Sequence, residues 1–222
     1  FKKIFGNEKH PNILISFLNA VLKSDDKIKT IKLMETDINP ESIEDKFSRL
    51  DVKAITDRGE HINIEIQLKN EYNMIKRTLF YWSRMYSTQL NKGENYNLLS
   101  RTICINILNF KFLKDVDNFH SCFRLKEVES NIELTDDEEI HFIEIPKLPK
   151  NADVTDMLVA WASFLKDPES EEVRSLEFNM TEFKEAKDEL IRLSQNDKER
   201  ILYEMREKAN KDRRNRKSKI KI

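Results

Sequence analysis

The chain has little cysteine and no long apolar run. Its 222 residues include two cysteines, Cys104 and Cys122, in strand-like segments that have no metal-ligand spacing around them. We therefore expect reduced, structural thiols in a cytoplasm and not a disulfide framework. No stretch approaches the roughly 20 apolar residues of a membrane-spanning helix, and no repeat or low-complexity linker is present. At 222 residues the chain is long enough for one well-buried globular domain with an appendage.

Net charge is also nearly absent, at −1, but the charges are distributed unevenly. Residues 206–222 carry nine Lys or Arg against two acidic residues, so this segment is +7 and the rest of the chain is −8. Any attraction to nucleic acid must therefore be local. The basic stretch 208–221 lacks aromatic residues, so it could hold a phosphate backbone without reading bases. A frayed, solvated terminus explains the same residues equally well.

What the chain does contain is a strongly patterned stretch over residues 46–70. Residues 52–56 are rich in β-branched and small side chains, and a turn signal that includes Gly59 follows them. Residues 62–69 then alternate strictly between apolar and polar side chains. The stretch predicts two strands paired through a tight turn.

Polar side chains of this predicted hairpin converge. Strand alternation places Glu65 and Gln67 on one face, and Asp51 lies near the far end of the first strand, within reach of them. Two carboxylates on adjacent strands suit Mg²⁺ or Mn²⁺, which can polarise a phosphodiester and activate water. An amphipathic hairpin with a polar outer face gives the same pattern. In both interpretations Asp51 and Glu65 are expected on a solvent-facing strand edge.

A helix is predicted over residues 72–90, with two chemically distinct sides. Arg77 and Tyr81 lie one turn apart on the side opposite a stripe of apolar residues. A guanidinium offers a fork of donors that matches phosphate oxygens, so this pair could hold a scissile phosphate. An ordinary solvated helix face is the alternative.

The remaining patterns predict scaffold elements. A helix begins at Pro11, a first strand falls within residues 27–37, and the apolar run 102–108 suits a strand covered on both faces. Two further strands are expected at 119–128 and 140–145.

The stretch 135–139, in which four of five residues are acidic, separates those last two strands. It is expected to form a solvated loop, because it lacks the spacing of a calcium loop. His141 and Glu144 are expected to be structural. After the proline-marked boundary near residue 150 the pattern is helical. We therefore divide the chain into a core domain, 1–150, and a helical extension, 151–222, that ends in the basic tail.

Five separated blocks recur in the order of one known family: FKKIFG, LISFLNAVL, LDVKAITDRGEHINIEIQ, Arg77 with Tyr81, and QLNKGENYNLL. The match continues through IHFIEIPKLPK. The chain resembles the recombination-promoting nuclease family, also described as a transposase family, of the PD-(D/E)XK nucleases. Asp51, then thirteen residues, then Glu65-Ile66-Gln67 is similar to the D…(D/E)-x-K core, in the variant that has Gln in place of Lys.

The resemblance implies an α/β, restriction-endonuclease-like mixed sheet flanked by helices, with a helical C-terminal appendage. It also implies a metal-dependent DNA endonuclease that uses Mg²⁺, with Mn²⁺ as a substitute. The implied site consists of catalytic Asp51, Glu65 and Gln67, of metal-ligating Asp51, Glu65 and the Ile66 carbonyl, and of substrate-binding Arg77 and Tyr81.

Two other functions are compatible with the same residues. One is a catalytically inactive DNA-binding or assembly protein that retains the nuclease fold, and the other is a structural scaffold in which the carboxylates do not converge. The expected partner is DNA, with no membrane, in a bacterial cytoplasm. Symmetric double-strand cutting would need two sites, which makes a homodimer plausible. The chain opens at Phe1 without Met, so we expect residues upstream of it.

Overall fold

A six-stranded mixed sheet organises the molecule. The computed structural model describes residues 1–34, 52–70, 72–150 and 153–195. The strands are β1 (Ile31–Leu33), β2 (Val52–Thr56), β3 (His61–Gln67), β4 (Thr102–Leu108), β5 (His120–Lys126) and β6 (Glu133–Glu144). Their order in the sheet is β1-β2-β3-β4-β6-β5, with β4 parallel to both β3 and β6 and the other pairs antiparallel.

Six α-helices flank this sheet in the described ranges. They are α1 (Lys2–Phe5), α2 (Pro11–Leu22), α3 (Met74–Ser87), α4 (Met157–Lys166), α5 (Glu171–Asn179) and α6 (Thr181–Gln195). Of these, α1 and α5 are the helices that the sequence pattern did not predict. None of the described helices is long and apolar enough to cross a membrane.

The predicted hairpin is confirmed as β2 and β3. They pair antiparallel, with Val52 opposite Ile64 and Ala54 opposite Ile62. The turn between them contains Gly59 at φ +82°, a conformation that side-chain-bearing residues rarely adopt. Glycine at this position therefore helps to set the register of the hairpin.

Strand β4 lies in the interior of the sheet, and all seven of its residues are buried. This confirms the prediction from the run 102–108. Helices cover a parallel strand on both faces, so its sequence reads as a nearly continuous apolar run without clean alternation.

The two faces of the sheet carry separate apolar cores. Helices α1, α2, α4, α5 and α6 pack on one face, and α3 packs on the other. Trp161 of α4 is fully buried in the larger core, stacked on Phe183 at 4.1 Å between ring centroids, and its indole N–H donates to Ser16 at 3.1 Å. The C-terminal helices thus share a core with the strands. The division near residue 150 stays a prediction.

The acidic stretch 135–139 does not form a loop, so that expectation is wrong. It belongs to β6, which begins at Glu133. The strand continues through the acidic stretch because partners are available there: the guanidinium groups of Arg101 and Arg124 both bind the buried carboxylate of Glu139. Paired charge replaces the solvation that a loop would have provided.

Two parts of the predicted site region lie outside the described residues. Asp51 falls in the range 35–51, and the basic tail falls in 196–222. Their assigned roles remain predictions.

Candidate active site

Glu65 is on an interior strand and is buried, with 2% of its surface exposed. Alternation along β3 places Asn63, Glu65 and Gln67 on the face that α3 covers, and Asn63 is buried too. The expectation that Glu65 faces solvent is therefore wrong, because a helix lies over the polar face of its strand. The alternative of an amphipathic hairpin with a solvated polar face fails for the same reason.

A buried hydrogen bond fastens α3 to the sheet beside Glu65. The Thr78 hydroxyl donates to Asn106 Oδ1 at 3.0 Å, and Asn106 on β4 is the register partner of Glu65. The Asn106 amide in turn donates to the backbone carbonyl of His141 at 3.2 Å. Sequence reasoning missed this contact, although an asparagine inside an otherwise apolar run was a usable signal.

The Glu65 carboxylate is held by two side chains from the predicted site. The Arg77 guanidinium forms an ion pair with Glu65 Oε1, and the Gln67 amide donates to the same oxygen at 2.5 Å. Arg77 also lies over the ring of Tyr81, with its guanidinium carbon 5.6 Å from the ring centroid. The structure therefore brings Glu65, Gln67, Arg77 and Tyr81 together.

These contacts explain how a charged carboxylate tolerates burial. An ionised group removed from water is costly unless it is paired and hydrogen-bonded, and Glu65 has both kinds of partner. Arg77 has spare capacity, since its Nε is buried and has no hydrogen-bond partner among the described residues. One donor of the guanidinium is thus available to another acceptor.

The backbone carbonyl of Ile66 lies on the β2 side of β3. The Gln67 carbonyl accepts a hydrogen bond from the Asn109 N–H at 3.0 Å, so this carbonyl points towards β4. Successive peptide carbonyls on a strand point in opposite directions, so the Ile66 carbonyl points towards β2. Strand β2 begins at Val52, opposite Ile64.

The donors at this position fit a divalent metal ion. The Glu65 carboxylate and the Ile66 carbonyl are hard oxygen ligands of the kind that Mg²⁺ and Mn²⁺ prefer. The guanidinium against Glu65 shows that the site already accommodates positive charge. An ion that bound Glu65 Oε1 would compete with Arg77 for that oxygen.

A mixed sheet with helices on both faces, and with a buried Glu at the end of a central strand, is a restriction-endonuclease-like architecture. A family model described as PD-(D/E)XK nuclease family transposase matches residues 1–219. The chain belongs to this family. No curated protein and no solved structure matches it significantly. The family relationship indicates a nuclease related to mobile elements, with DNA as substrate and a divalent metal ion as cofactor.

Proposed function

We propose that this protein is a Mg²⁺-dependent DNA endonuclease that hydrolyses phosphodiester bonds in recombination or in the movement of mobile elements. The observation that carries the proposal is the convergence of Glu65, Gln67 and Arg77 under α3. A buried acid paired with an arginine and an amide provides a metal ligand, a phosphate ligand and a water-orienting group within one cluster.

Asp51, Glu65 and the Ile66 carbonyl are the proposed ligands of the ion. Asp51 is the assigned second carboxylate because it directly precedes Val52, which lies opposite Ile64, one residue from Glu65. When bound, the ion supplies Lewis-acid stabilisation of the developing phosphate charge and lowers the pKa of water. The chain supplies rigid placement, since β3 is fixed between neighbouring strands.

Gln67 stands where most PD-(D/E)XK nucleases have a lysine, and its neutral amide is a weaker catalytic group than that lysine. A lysine there would contribute about 4 kcal/mol of Coulomb energy at 4 Å for an effective dielectric near 20, before desolvation. The neutral amide of Gln67 can orient the attacking water and donate to a phosphate oxygen. The missing positive charge is the role that we assign to Arg77.

Arg77 exchanges partners in this proposal. In the structure Arg77 pairs with Glu65, and an ion held by Glu65 would free Arg77 to donate to a non-bridging oxygen of the scissile phosphate. Its unpartnered Nε supplies an additional donor for that contact. The ring of Tyr81 supports the guanidinium from one side.

Cleavage of supercoiled plasmid by the whole protein tests the proposal, with Mg²⁺, Mn²⁺ or EDTA, alongside the variant Glu65→Gln. The exposed carboxylate of Asp188 on α6 provides a matched control, Asp188→Asn. We expect metal-dependent nicking or linearisation that falls at least about a hundredfold in Glu65→Gln and stays unchanged in Asp188→Asn.

Two results would contradict the nuclease assignment. One is equal cleavage by wild type and Glu65→Gln. The other is a folded wild type that binds DNA without cutting it in either metal, which would favour the catalytically inactive DNA-binding protein.

A further inference from the structure

A cluster of potential metal ligands lies on the face of the sheet opposite Glu65. Cys122 on β5 is the register partner of His141 on β6, and Glu139 lies two residues before His141 on the same strand face. One ligand atom from each of these three side chains lies within 4.8 Å of the other two. Cys122 is exposed, whereas Glu139 and His141 are buried.

We propose that Cys122, Glu139 and His141 form a binding site for Zn²⁺ or a similar borderline divalent ion, separate from the candidate active site. Thiolate, imidazole and carboxylate are the three ligand types that zinc accepts. Three protein ligands leave a fourth position, and the exposure of Cys122 opens that position to water.

The distances between the ligand atoms are close to those of a tetrahedral zinc site. The Cys122 sulfur is 3.9 Å from His141 Nε2, compared with about 3.5 Å expected for two ligands of one tetrahedral zinc. His141 Nε2 is 2.7 Å from Glu139 Oε1, which would open to about 3.4 Å. Small side-chain movements achieve both changes.

The surroundings of Glu139 leave the required oxygen accessible. Arg101 and Arg124 both bind Glu139 Oε2, while Oε1 contacts His141. The two arginines therefore orient the carboxylate from behind, as partners of ligating carboxylates do in metal sites.

The network of ion pairs that includes Glu139 has an excess of acidic groups. The guanidinium groups of Arg58, Arg101 and Arg124 lie within 4.0 Å of five carboxylates: Asp26, Glu60, Glu133, Asp136 and Glu139. Acidic groups thus outnumber basic groups by two before any thiolate is counted. A divalent ion would offset that excess.

His120 completes the arrangement as a positioning residue. Its Nε2 is 2.9 Å from His141 Nδ1, and the two rings stack with centroids 5.1 Å apart. Without metal, His141 Nε2–H donates to Glu139 and Nδ1 accepts from His120. With metal on Nε2, the proton of His141 moves to Nδ1 and donates to His120, so both histidines exchange tautomer and the Cys122 thiol releases one proton.

Titration of the whole protein with Co²⁺, a spectroscopic substitute for Zn²⁺, tests this site through the thiolate-to-cobalt absorption band. We expect one Co²⁺ per chain with that band, displacement by Zn²⁺, and loss of the band in Cys122→Ser. The matched control Cys104→Ala alters the other cysteine, which lies on β4, and should keep the band. The variant His120→Ala should keep the band and weaken Co²⁺ affinity by about tenfold.

Either of two outcomes overturns the proposal. One is the absence of the band in a folded wild type, and the other is a band that persists in Cys122→Ser. Glu65→Gln should leave the thiolate-to-cobalt band unchanged, which separates this site from the candidate active site.

Discussion

Glu65 is a charged group on a buried strand face, and its partners decide what it can do. Arg77 and Gln67 both bind one of its oxygens, so the carboxylate is stabilised without metal and is already organised for a cation. The sequence predicted that Glu65 and Gln67 are neighbours, because alternation fixes the face of a strand. It did not predict burial, because α3 reaches that face only through tertiary packing.

Replacement of Arg77 tests the partner exchange at this residue. Arg77→Ala should reduce cleavage by about 10²-fold or more, because a donor to the transition-state phosphate is lost. The same variant should bind Mn²⁺ more tightly than wild type, since no guanidinium competes for Glu65. Arg84→Ala, an exposed arginine near the end of α3, provides the control and should change neither quantity. A parallel loss of cleavage and of Mn²⁺ affinity in Arg77→Ala would contradict the exchange.

At the scale of elements, the sequence predicted local patterns better than their contacts. The β2–β3 hairpin, the buried β4 and the helix that became α3 were all visible, because each has a periodicity of its own. The path of β6 was not predicted, because its Glu139 pairs with Arg101, which directly precedes β4, and with Arg124 of β5. Those contacts join positions far apart in the chain.

The pairing of β5 with β6 should make stability depend on pH. Burial, reinforced by the neighbouring His141, lowers the pKa of His120 to about 4 from the ordinary 6.5. Burial alone would raise the pKa of Glu139, but the bond from His141 and the charge of Arg101 lower it to about 2 from 4.5. In both cases the unfolded chain takes up protons first, so stability is lost as the pH falls.

We therefore expect the free energy of unfolding, measured in denaturant with a chelator present, to fall between pH 6.5 and 4. Protonation of Glu139 should lower the free energy of unfolding further below pH 4.5. The variant His120→Asn removes the first titrating group and should flatten the upper part of this range. An unchanged pH dependence in that variant would contradict the assignment of this stability loss to His120.

At the scale of the whole molecule, the sheet separates two clusters with different ligand chemistry. The α3 face carries Glu65 with oxygen donors, and the opposite face carries Cys122, Glu139 and His141. The spacing of Cys122 in the sequence gave no sign of ligation, because its neighbours come from another strand. The family, in contrast, was recognisable from the sequence because its blocks extend along most of the chain.

The most direct test of the central claim is the binding of Mn²⁺, followed by electron paramagnetic resonance, in wild type and Glu65→Gln. Mn²⁺ is a hard ion and favours the oxygen ligands at Glu65 over the thiol-containing cluster, so Cys122→Ser serves as the matched control. The account predicts that Glu65→Gln weakens Mn²⁺ binding at least about tenfold and that Cys122→Ser leaves it unchanged. Equal binding by wild type and Glu65→Gln would contradict the claim that Glu65 holds the metal ion.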